Sequence, residues 1–274
     1  MIELPESTTL SRQITETLSG RTVTFVEAAH DAHGFAFYSH DAEAYPALLV
    51  GKTLEACQPT GGIVDATIDD MHLALSDGVN VRYIEAGGKL PKKYQFHMQF
   101  DDGSALVCSV QMYGGMMVYP NGKTDNFYYN VAREKPSPQS DVFDKPYFDG
   151  IVAEAEGKLS AKALLATEQR IPGIGNGVLQ DILFNAGVNP QKKLRDMDAS
   201  DIDALFASIK STLSDMIDGG GRDTDKDLFG NPGGYVTILS AKTKDQPCPR
   251  CGGPITRKAF LGGNVYFCPI CQPL

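Results

Sequence analysis

The sequence predicts an α+β protein with an N-terminal β-sandwich, a C-terminal helical domain and a zinc-finger hairpin at the end. Three observations carry this prediction. Apolar residues alternate between positions 22 and 117, which is typical of strands, and from position 148 they recur at helical spacing. Two CxxC pairs follow near the end of the chain. A chain of 274 residues is long enough for two modest domains and one small module.

The composition is that of an ordinary globular protein, with 42% hydrophobic and 22% charged residues. No apolar run approaches the ~20 residues that a membrane span needs. The opening MIELPESTTL lacks the basic start and the apolar core of a signal peptide. These features predict a cytoplasmic protein that does not enter a membrane.

The N-terminal segment predicts a helix that packs one face against the following strands. Leu10, Ile14 and Leu18 lie four residues apart after Pro5, and Gly20 follows them. This spacing places three apolar side chains on one face, and a glycine just beyond the last of them is a common helix stop.

Two Asp-Gly pairs within the alternating region predict β-hairpins. The clearer pair, Asp102-Gly103, lies between the alternating runs 94–100 and 106–112. The second, Asp77-Gly78, lies between the runs 71–75 and 79–83. Asp-Gly between alternating apolar runs is the strongest local signal for a hairpin turn. This half of the chain is therefore predicted to be a β-sandwich or a flattened barrel.

A change of pattern marks the passage to the helical half. Residues 134–147 read EKPSPQSDVFDKPY, with three prolines and little apolar periodicity, and are predicted to link two domains. Glycines 219–221 end the helical run, a polar glycine-rich loop follows to residue 235, and residues 235–240 alternate like a short strand. Helices are predicted at Phe148–Glu156, at Ser160–Thr167, at Asn176–Ala186 and around Ile202–Leu213.

A glycine-rich turn precedes the third of these helices. Gly173, Gly175 and Gly177 are spaced two apart in RIPGIGNGVLQDILFNAGVNP, with Asn176 among them. Such a turn lets backbone N–H groups at a helix N-terminus face an anion without crowding by Cβ atoms. A tight corner between two helices, with no ligand, is the alternative interpretation. The stretch by itself favours that alternative.

The cysteine spacing predicts one structural Zn²⁺ per chain. The pairs Cys248/Cys251 and Cys268/Cys271 supply four thiolates, which is the ligand set of a closed tetrahedral site. The short tail could not bury enough apolar surface to fold alone, so the metal would stabilise it. Two further cysteines, at positions 57 and 108, are predicted to be buried and unreactive.

Three stretches together resemble the formamidopyrimidine-DNA glycosylase and endonuclease VIII family. They are MIELPE at the start, SAKALL…PGIGNGVLQDILFNAGVNP in the helical half, and CPRCGGPI…VYFCPICQ at the end. The resemblance implies a β-sandwich joined to a helix–two-turn–helix domain and a zinc finger. We therefore predict domains at 1–133, 148–243 and 244–274, with a linker at 134–147. It also implies a monomeric base excision repair enzyme, a DNA glycosylase with abasic-site lyase activity, acting on double-stranded DNA with a damaged base or an abasic site.

The resemblance assigns catalysis to the N-terminus. In the family the initiator methionine is removed, and the amine of a following proline attacks the sugar of the damaged nucleotide while a glutamate moves the proton. Glu3 and Glu6 match the two acidic positions, but Ile2 stands in place of the proline. Because isoleucine is bulky, Met1 is expected to remain, which would place the amine one residue (~3.5 Å of chain) from its usual position. Ordinary first-turn acids that offset a helix dipole are the alternative interpretation of the glutamates.

The resemblance also implies a set of DNA contacts. Lys93 matches a lysine that binds phosphate beside the lesion, with Lys92 as a one-residue alternative in register. Lys162 and Asn176 match the phosphate-binding pair of the helix–two-turn–helix. Met112 matches the side chain that fills the gap left by a flipped base. Two family features are missing: the arginine–phenylalanine partner of that wedge, and an arginine in the zinc hairpin, whose turn reads LGGN.

The charge distribution bears on the DNA prediction. The net charge is −9, and four thiolates with one Zn²⁺ add two negative charges to give −11. The tail from Pro247 onward nevertheless contains Arg250, Arg257 and Lys258 and no acidic residue. We therefore expect Arg257 and its neighbours to contribute to a DNA face of limited area, with weak, salt-sensitive binding.

Two other functions stay open. One is a catalytically weak or inactive relative that binds abasic or kinked DNA without excising bases. The other is a zinc-ribbon scaffold for protein partners, which the acidic total favours. The loop at 219–234 shows no residue code for a particular base.

Overall fold

The computed structural model describes residues 1–39 and 41–274. The α-helices are α1 Leu4–Leu18, α2 Tyr45–Leu49, α3 Phe127–Glu134, α4 Lys145–Glu154, α5 Ala161–Ala166, α6 Val178–Ala186 and α7 Ala199–Asp218. The strands are β1 Val23–Ala28, β2 Ala36–Phe37, β3 Leu54–Thr60, β4 Ile63–Ile68, β5 Met71–Ile84, β6 Phe96–Phe100, β7 Ala105–Pro120, β8 Thr256–Phe260 and β9 Gly263–Phe267.

The N-terminal strands form one sheet that closes on itself. Its order is β1-β6-β7-β5-β4-β3, and β2 joins β7. The two outer strands approach each other at their ends, where Thr22 bridges Thr53 and the Val23 N–H donates to the Lys52 carbonyl over 2.8 Å. Inward-facing side chains from both layers then form a continuous core. The predicted sandwich or flattened barrel is confirmed.

Helix α1 covers one opening of this sandwich. It begins at Leu4 because Glu3 caps its N-terminus, and Glu6 completes a reciprocal capping box. Leu10, Ile14 and Leu18 are buried against the sheet, as their spacing predicts. The helix thus fixes the position of the first three residues relative to the sandwich.

The two Asp-Gly pairs have different structures. Asp102-Gly103 forms the predicted turn between β6 and β7, with Gly103 at a φ of +81°. The hairpin predicted at Asp77-Gly78 is wrong, because β5 runs through both residues without turning back. Both long strands, β5 and β7, pair on either side of this point, so the Asp-Gly pair lies opposite a bulge formed by residues 111–113 of β7. Asp77 has a φ of +58°, and a side chain at Gly78 would lie 2.6 Å from the carbonyl of Tyr113.

The helical half has its own core, formed mainly by α4 to α7. Helix α4 begins inside the segment predicted as a linker, and Phe143 of that segment is buried in this core. The predicted domain boundaries remain predictions. The strand predicted at 235–240 is wrong, because the carboxylate of Asp181 accepts the N–H groups of Ile238 and Leu239, both over 2.8 Å, and holds the segment against α6.

The zinc-binding tail contributes the β8–β9 hairpin, which packs beside α6. Among the residues described, no helix combines the length and the apolar character needed to cross a bilayer.

Candidate active site and zinc centre

The glycine-rich turn before α6 holds an anion that belongs to the chain itself. The Glu3 carboxylate accepts the N–H groups of Gly175, Gly177 and Val178, over 3.3, 2.8 and 2.7 Å. These groups lie at the positive end of the α6 dipole, so a buried carboxylate is stabilised there. The anion that the turn faces is therefore the carboxylate of Glu3. It ties the first residues of the chain to the helical half.

Arg222, from the loop that follows α7, lies between Glu3 and Glu6. Its side chain is only 3% exposed. Its Nε and Nη2 donate to the two carboxylate oxygens of Glu6 over 2.9 and 2.7 Å, and its Nη1 lies 3.7 Å from Glu3. Gly177 leaves room for the guanidinium, since a Cβ at that position would overlap it. The buried position of the Arg222 guanidinium therefore requires a glycine at position 177.

The charges of this cluster are strongly coupled. Burial raises the pKa of Glu3, against the opposing charge of Arg222 and the hydrogen bonds from Val178 and Gly177. Burial by itself would lower the pKa of Arg222, but the adjacent carboxylates of Glu3, Glu6 and Asp225 outweigh it and raise that pKa. The guanidinium therefore stays charged and supplies the counter-charge for both glutamates when they are ionised.

The N-terminal residues are held so that the Met1 amine and the Ile2 nitrogen have different environments. The Ile2 N–H donates to the carbonyl of Asp77, in β5, over 2.6 Å, and Ile2 is only 6% exposed. The Met1 amine instead forms an ion pair with Asp225. Arg222 donates to the Met1 carbonyl over 3.1 Å. The amine of Met1 is thus accessible, whereas the nitrogen of Ile2 is buried and hydrogen-bonded.

A cleft of about 400 Å³ adjoins this amine, and its lining includes Met1, Arg82, Gln111, Met112, Asp225 and Lys226. Met112 is 68% exposed. It lies in the bulge of β7, where the three residues 111–113 face the single residue Gly78 of β5. The structure therefore places Met1 and Met112 on one cleft. Glu3 and Glu6 are not part of its lining, because they face the interior.

Asp225 connects the cleft with the buried cluster. Burial acts to raise its pKa, but the charges of Arg222 and of the Met1 amine prevail, and the pKa of Asp225 is lowered. One carboxylate oxygen pairs with the amine, and the other accepts from Thr224 Oγ1 over 2.8 Å and lies 3.3 Å from Arg222 Nη2. Asp225 is therefore ionised and oriented toward the amine.

Lys93 and Lys92 are exposed and precede β6. Neither lines the cleft, although Pro91 does. Their assignment to phosphate remains a prediction.

Lys162, Asn176 and Arg257 come together where α5 and α6 meet the zinc hairpin. Lys162 donates to the Asn176 side-chain oxygen over 2.8 Å and to the Phe260 carbonyl over 2.6 Å. Asn176 donates to the Asn264 carbonyl over 3.0 Å, and Arg257 Nε to the Asn264 side chain over 3.2 Å. Lys162 is 3% exposed, and burial lowers its pKa. Its assignment, like those of Asn176 and Arg257, remains a prediction.

The four tail cysteines form the predicted metal site. All their Sγ atoms lie within 4.8 Å of one another, with Cys248 and Cys271 3.9 Å apart and Cys251 and Cys268 3.5 Å apart. Zn–S bonds of ~2.3 Å in a tetrahedron require sulfur separations of about 3.8 Å. The cysteines are therefore positioned to bind one Zn²⁺, with no ligand position left open.

Three residues of this site, Arg222, Asp225 and Asp77, were not predicted from the sequence. Arg222 is a single arginine in a loop that otherwise carries several acidic residues, and this contrast was its signal. Asp77 was assigned to a turn. Asp225 carried no signal of its own, because its neighbours Asp223 and Asp227 are also acidic.

Comparisons with known proteins identify the same zinc finger and the same fold. Residues 245–274 match the family model described as a zinc finger found in FPG and IleRS. The fold is similar to that of the MutM (Fpg) protein from Thermus thermophilus, with a TM-score of 0.81, 22% identity and 98% of each chain covered. It is also similar to Lactococcus lactis Fpg in complex with DNA that contains an abasic site, with a TM-score of 0.82, 23% identity, and 99% of this chain and 100% of that one covered.

Full-length relatives extend the match beyond the zinc finger. The formamidopyrimidine-DNA glycosylase of Geobacillus kaustophilus is 28% identical over 280 residues, which cover 99% of this chain and 100% of the relative. The enzyme of the same name from Bordetella parapertussis is 30% identical over 286 residues and 99% of each chain. The chain therefore belongs to the formamidopyrimidine-DNA glycosylase family.

Proposed function

We propose that this protein acts in base excision repair on double-stranded DNA, as an abasic-site lyase that works through the amine of Met1, with weaker DNA glycosylase activity. The observation that carries the proposal is that Met1 lines the cleft with its amine paired to Asp225, another lining residue, while the Ile2 nitrogen is buried. The relatives named DNA glycosylases and the Lactococcus lactis complex with abasic-site DNA support the choice of substrate. The protein would work as a monomer in the cytoplasm.

The cleft has features suited to a damaged duplex. Arg82 and Lys226 place positive charge on its lining, and the exposed Met112 is available to fill the space left by an extruded nucleotide. The corner formed by Lys162, Asn176 and Arg257 would contact phosphates. These phosphate contacts should make binding sensitive to salt, and the net charge of −9 for the whole chain should keep it weak.

The chemistry proposed for Met1 is imine formation. A primary amine attacks the C1′ aldehyde of an opened abasic sugar, and the imine then permits elimination of the 3′ phosphate. Ile2 cannot supply this nucleophile while Met1 is present, because its nitrogen is a peptide amide, which also donates to the Asp77 carbonyl and is buried. Base excision should be slower, since Glu3 and Glu6 are both bound by Arg222 and are turned away from the cleft.

The test compares three duplexes that differ only at one nucleotide: a preformed abasic site, an oxidised base and an undamaged base. Intact mass first establishes that Met1 is present. Strand scission and base release are then measured with enzyme in excess. We expect scission at the abasic site, little release of the oxidised base and no reaction of the undamaged duplex. Release of the oxidised base as fast as abasic scission would contradict the proposal, as would the absence of scission.

A second candidate function is binding of abasic DNA without chemistry. It is favoured by the ion pairs of Arg222, which leave neither glutamate free to move a proton. A duplex with a tetrahydrofuran abasic analogue separates the two functions, since the analogue has no aldehyde and reports binding alone. Tight binding to it, without scission at a true abasic site, would establish the second function.

A further inference from the structure

We propose that Asp225 is the catalytic residue that moves the proton at the Met1 amine, and that its position restricts the substrate to the aldehyde of a sugar that has already lost its base. This inference rests on the proposed function and deepens it.

Geometry sets Asp225 apart from the other acids nearby. One of its oxygens pairs with the Met1 amine, and the other is held by Thr224 Oγ1 and the Arg222 guanidinium. Its side chain is 18% exposed and lines the cleft. It therefore touches the reacting nitrogen and remains accessible to a bound sugar.

The neighbouring acids do not meet these two conditions. Glu3 accepts three backbone N–H groups, and Glu6 accepts two side-chain N–H groups and the main-chain N–H of Arg222 as well as that of Glu3. Asp77 accepts from Ser76 Oγ over 3.0 Å, and it holds Ile2 through its carbonyl. Within the described part of the chain, Asp225 is the carboxylate that lines this cleft.

The proposed step needs one proton carrier. Asp225 accepts a proton from the Met1 ammonium, and the freed lone pair forms a bond to C1′ of the aldehyde. The π pair of the carbonyl moves to its oxygen, which receives the proton back from Asp225. A second proton transfer, from the nitrogen through the same carboxylate to this oxygen, breaks the C–O bond, releases water and leaves the protonated imine, with the carboxylate of Asp225 regenerated. No oxidant or reductant is required.

An intact nucleotide would need more than this. Its C1′ carries a glycosidic bond, so departure of the base requires a second acid to protonate the sugar or the base while the amine attacks. The structure places one carboxylate, that of Asp225, at the amine. Arg222 pairs with the next two, those of Glu3 and Glu6, in the interior. A free aldehyde is therefore the substrate class that this centre fits.

The test is the single-turnover rate of borohydride trapping on an abasic duplex, for the unmodified protein and three variants. Asp225→Asn keeps the size of the side chain and one of its two acceptor oxygens but cannot carry the proton. Asp225→Glu restores a carboxylate. Asp223→Asn, on the same loop, is the matched control. Binding to the tetrahydrofuran duplex and thermal melting report whether DNA affinity or folding has changed.

We expect Asp225→Asn to lower the trapping rate about 10²-fold or more, with analogue binding unchanged. Asp225→Glu should recover part of the rate, and Asp223→Asn should match the unmodified protein. Reductive amination of Met1 by 2-deoxyribose 5-phosphate and cyanoborohydride should fall in parallel, because this aldehyde does not depend on duplex binding.

Two results would overturn the inference alone. One is an unchanged or faster rate in Asp225→Asn, which would mean that the ion pair only restrains the amine. The other is a loss of trapping that follows a loss of analogue binding or of melting temperature, which would mean a structural role. If the unmodified protein forms no adduct with any aldehyde, the proposed function itself fails and the inference falls with it.

Discussion

The two ends of this chain build their functional centres in different ways. The zinc centre takes all its ligands from one hairpin near the C-terminus, between Cys248 and Cys271. The amine centre takes its parts from segments far apart: Met1, strand β5 at Asp77, the turn at Gly177, and Arg222 with Asp225. A local centre can be recognised from spacing. A centre assembled from distant segments depends on the whole fold, so its failure should affect the whole protein.

The largest effect should follow loss of the metal. Zinc binding to short zinc-finger modules contributes roughly 10–16 kcal/mol of apparent free energy, which is folding free energy for such a tail. Metal analysis should find one zinc per chain, and Cys268→Ser should abolish it while the melting of the sandwich is retained. Cys57→Ser, outside the site, is the control and should keep its zinc. A hairpin that folds without zinc would contradict the claim that the metal stabilises the tail.

The next effect concerns the distributed centre. Arg222→Met should lower the free energy of unfolding by about 3–5 kcal/mol, because Glu3 and Glu6 would lose their buried counter-charge. Denaturant unfolding measures the difference. Arg257→Met, at an exposed arginine, is the matched control and should leave stability nearly unchanged.

The pH dependence of the Arg222→Met variant has a definite sign. The pKa of Glu3 is already raised by burial, and without Arg222 it should rise further. The protonated carboxyl needs no counter-charge, so the deficit should shrink as the pH falls toward the ordinary carboxyl value of 4.5. A deficit that does not change between neutral and acidic pH would show that lost packing, rather than charge, explains the result.

A smaller effect is expected at the glycine turn. Gly177→Ala should destabilise the protein by about 1–3 kcal/mol, because the new methyl group would overlap the Arg222 guanidinium. Gly150→Ala is the control, since Gly150 lies inside α4 and a Cβ there meets no atom within 4 Å. That variant should gain about 0.5–1 kcal/mol. Equal effects from the two substitutions, measured by denaturant unfolding, would mean that Arg222 can move aside.

The smallest effect is expected on DNA binding, at the corner where α5 and α6 meet the zinc hairpin. Lys162→Ala should weaken binding to the tetrahydrofuran duplex and flatten its salt dependence by about one phosphate contact. Asn176→Ala should weaken binding similarly across sequences. An unchanged salt slope in a folded Lys162→Ala protein would mean that Lys162 serves only to hold the hairpin through the Phe260 carbonyl.

Local features such as the zinc centre could be predicted from the sequence, whereas features assembled from distant segments could not. The zinc ligands, α1 and the closed sheet could be predicted because spacing and periodicity report local geometry. The two Asp-Gly pairs show the limit. Both have alternating flanks, and only the pairing of β5 with β7 on both sides of Asp77 distinguishes a bulge from a turn.

The anion at the glycine turn shows a related limit. The turn could be predicted to be able to face an anion, although the stretch alone favoured a corner without a ligand. That the anion is Glu3 could not be predicted, because the two segments meet only in the folded chain. The role of Arg222 could not be predicted from the sequence for the same reason. Its burial is tolerated only beside carboxylates that lie more than 200 positions earlier.

The central claim is that the reactive amine belongs to Met1, and the direct test is the site of the trapped adduct. The protein would be reduced with borohydride on an abasic duplex, digested, and the modified peptide sequenced by mass spectrometry. The account predicts a single adduct on the amine of Met1, with Ile2 unmodified in the same peptide. An adduct on an N-terminal Ile2, on Lys226 or on Lys93 would contradict it.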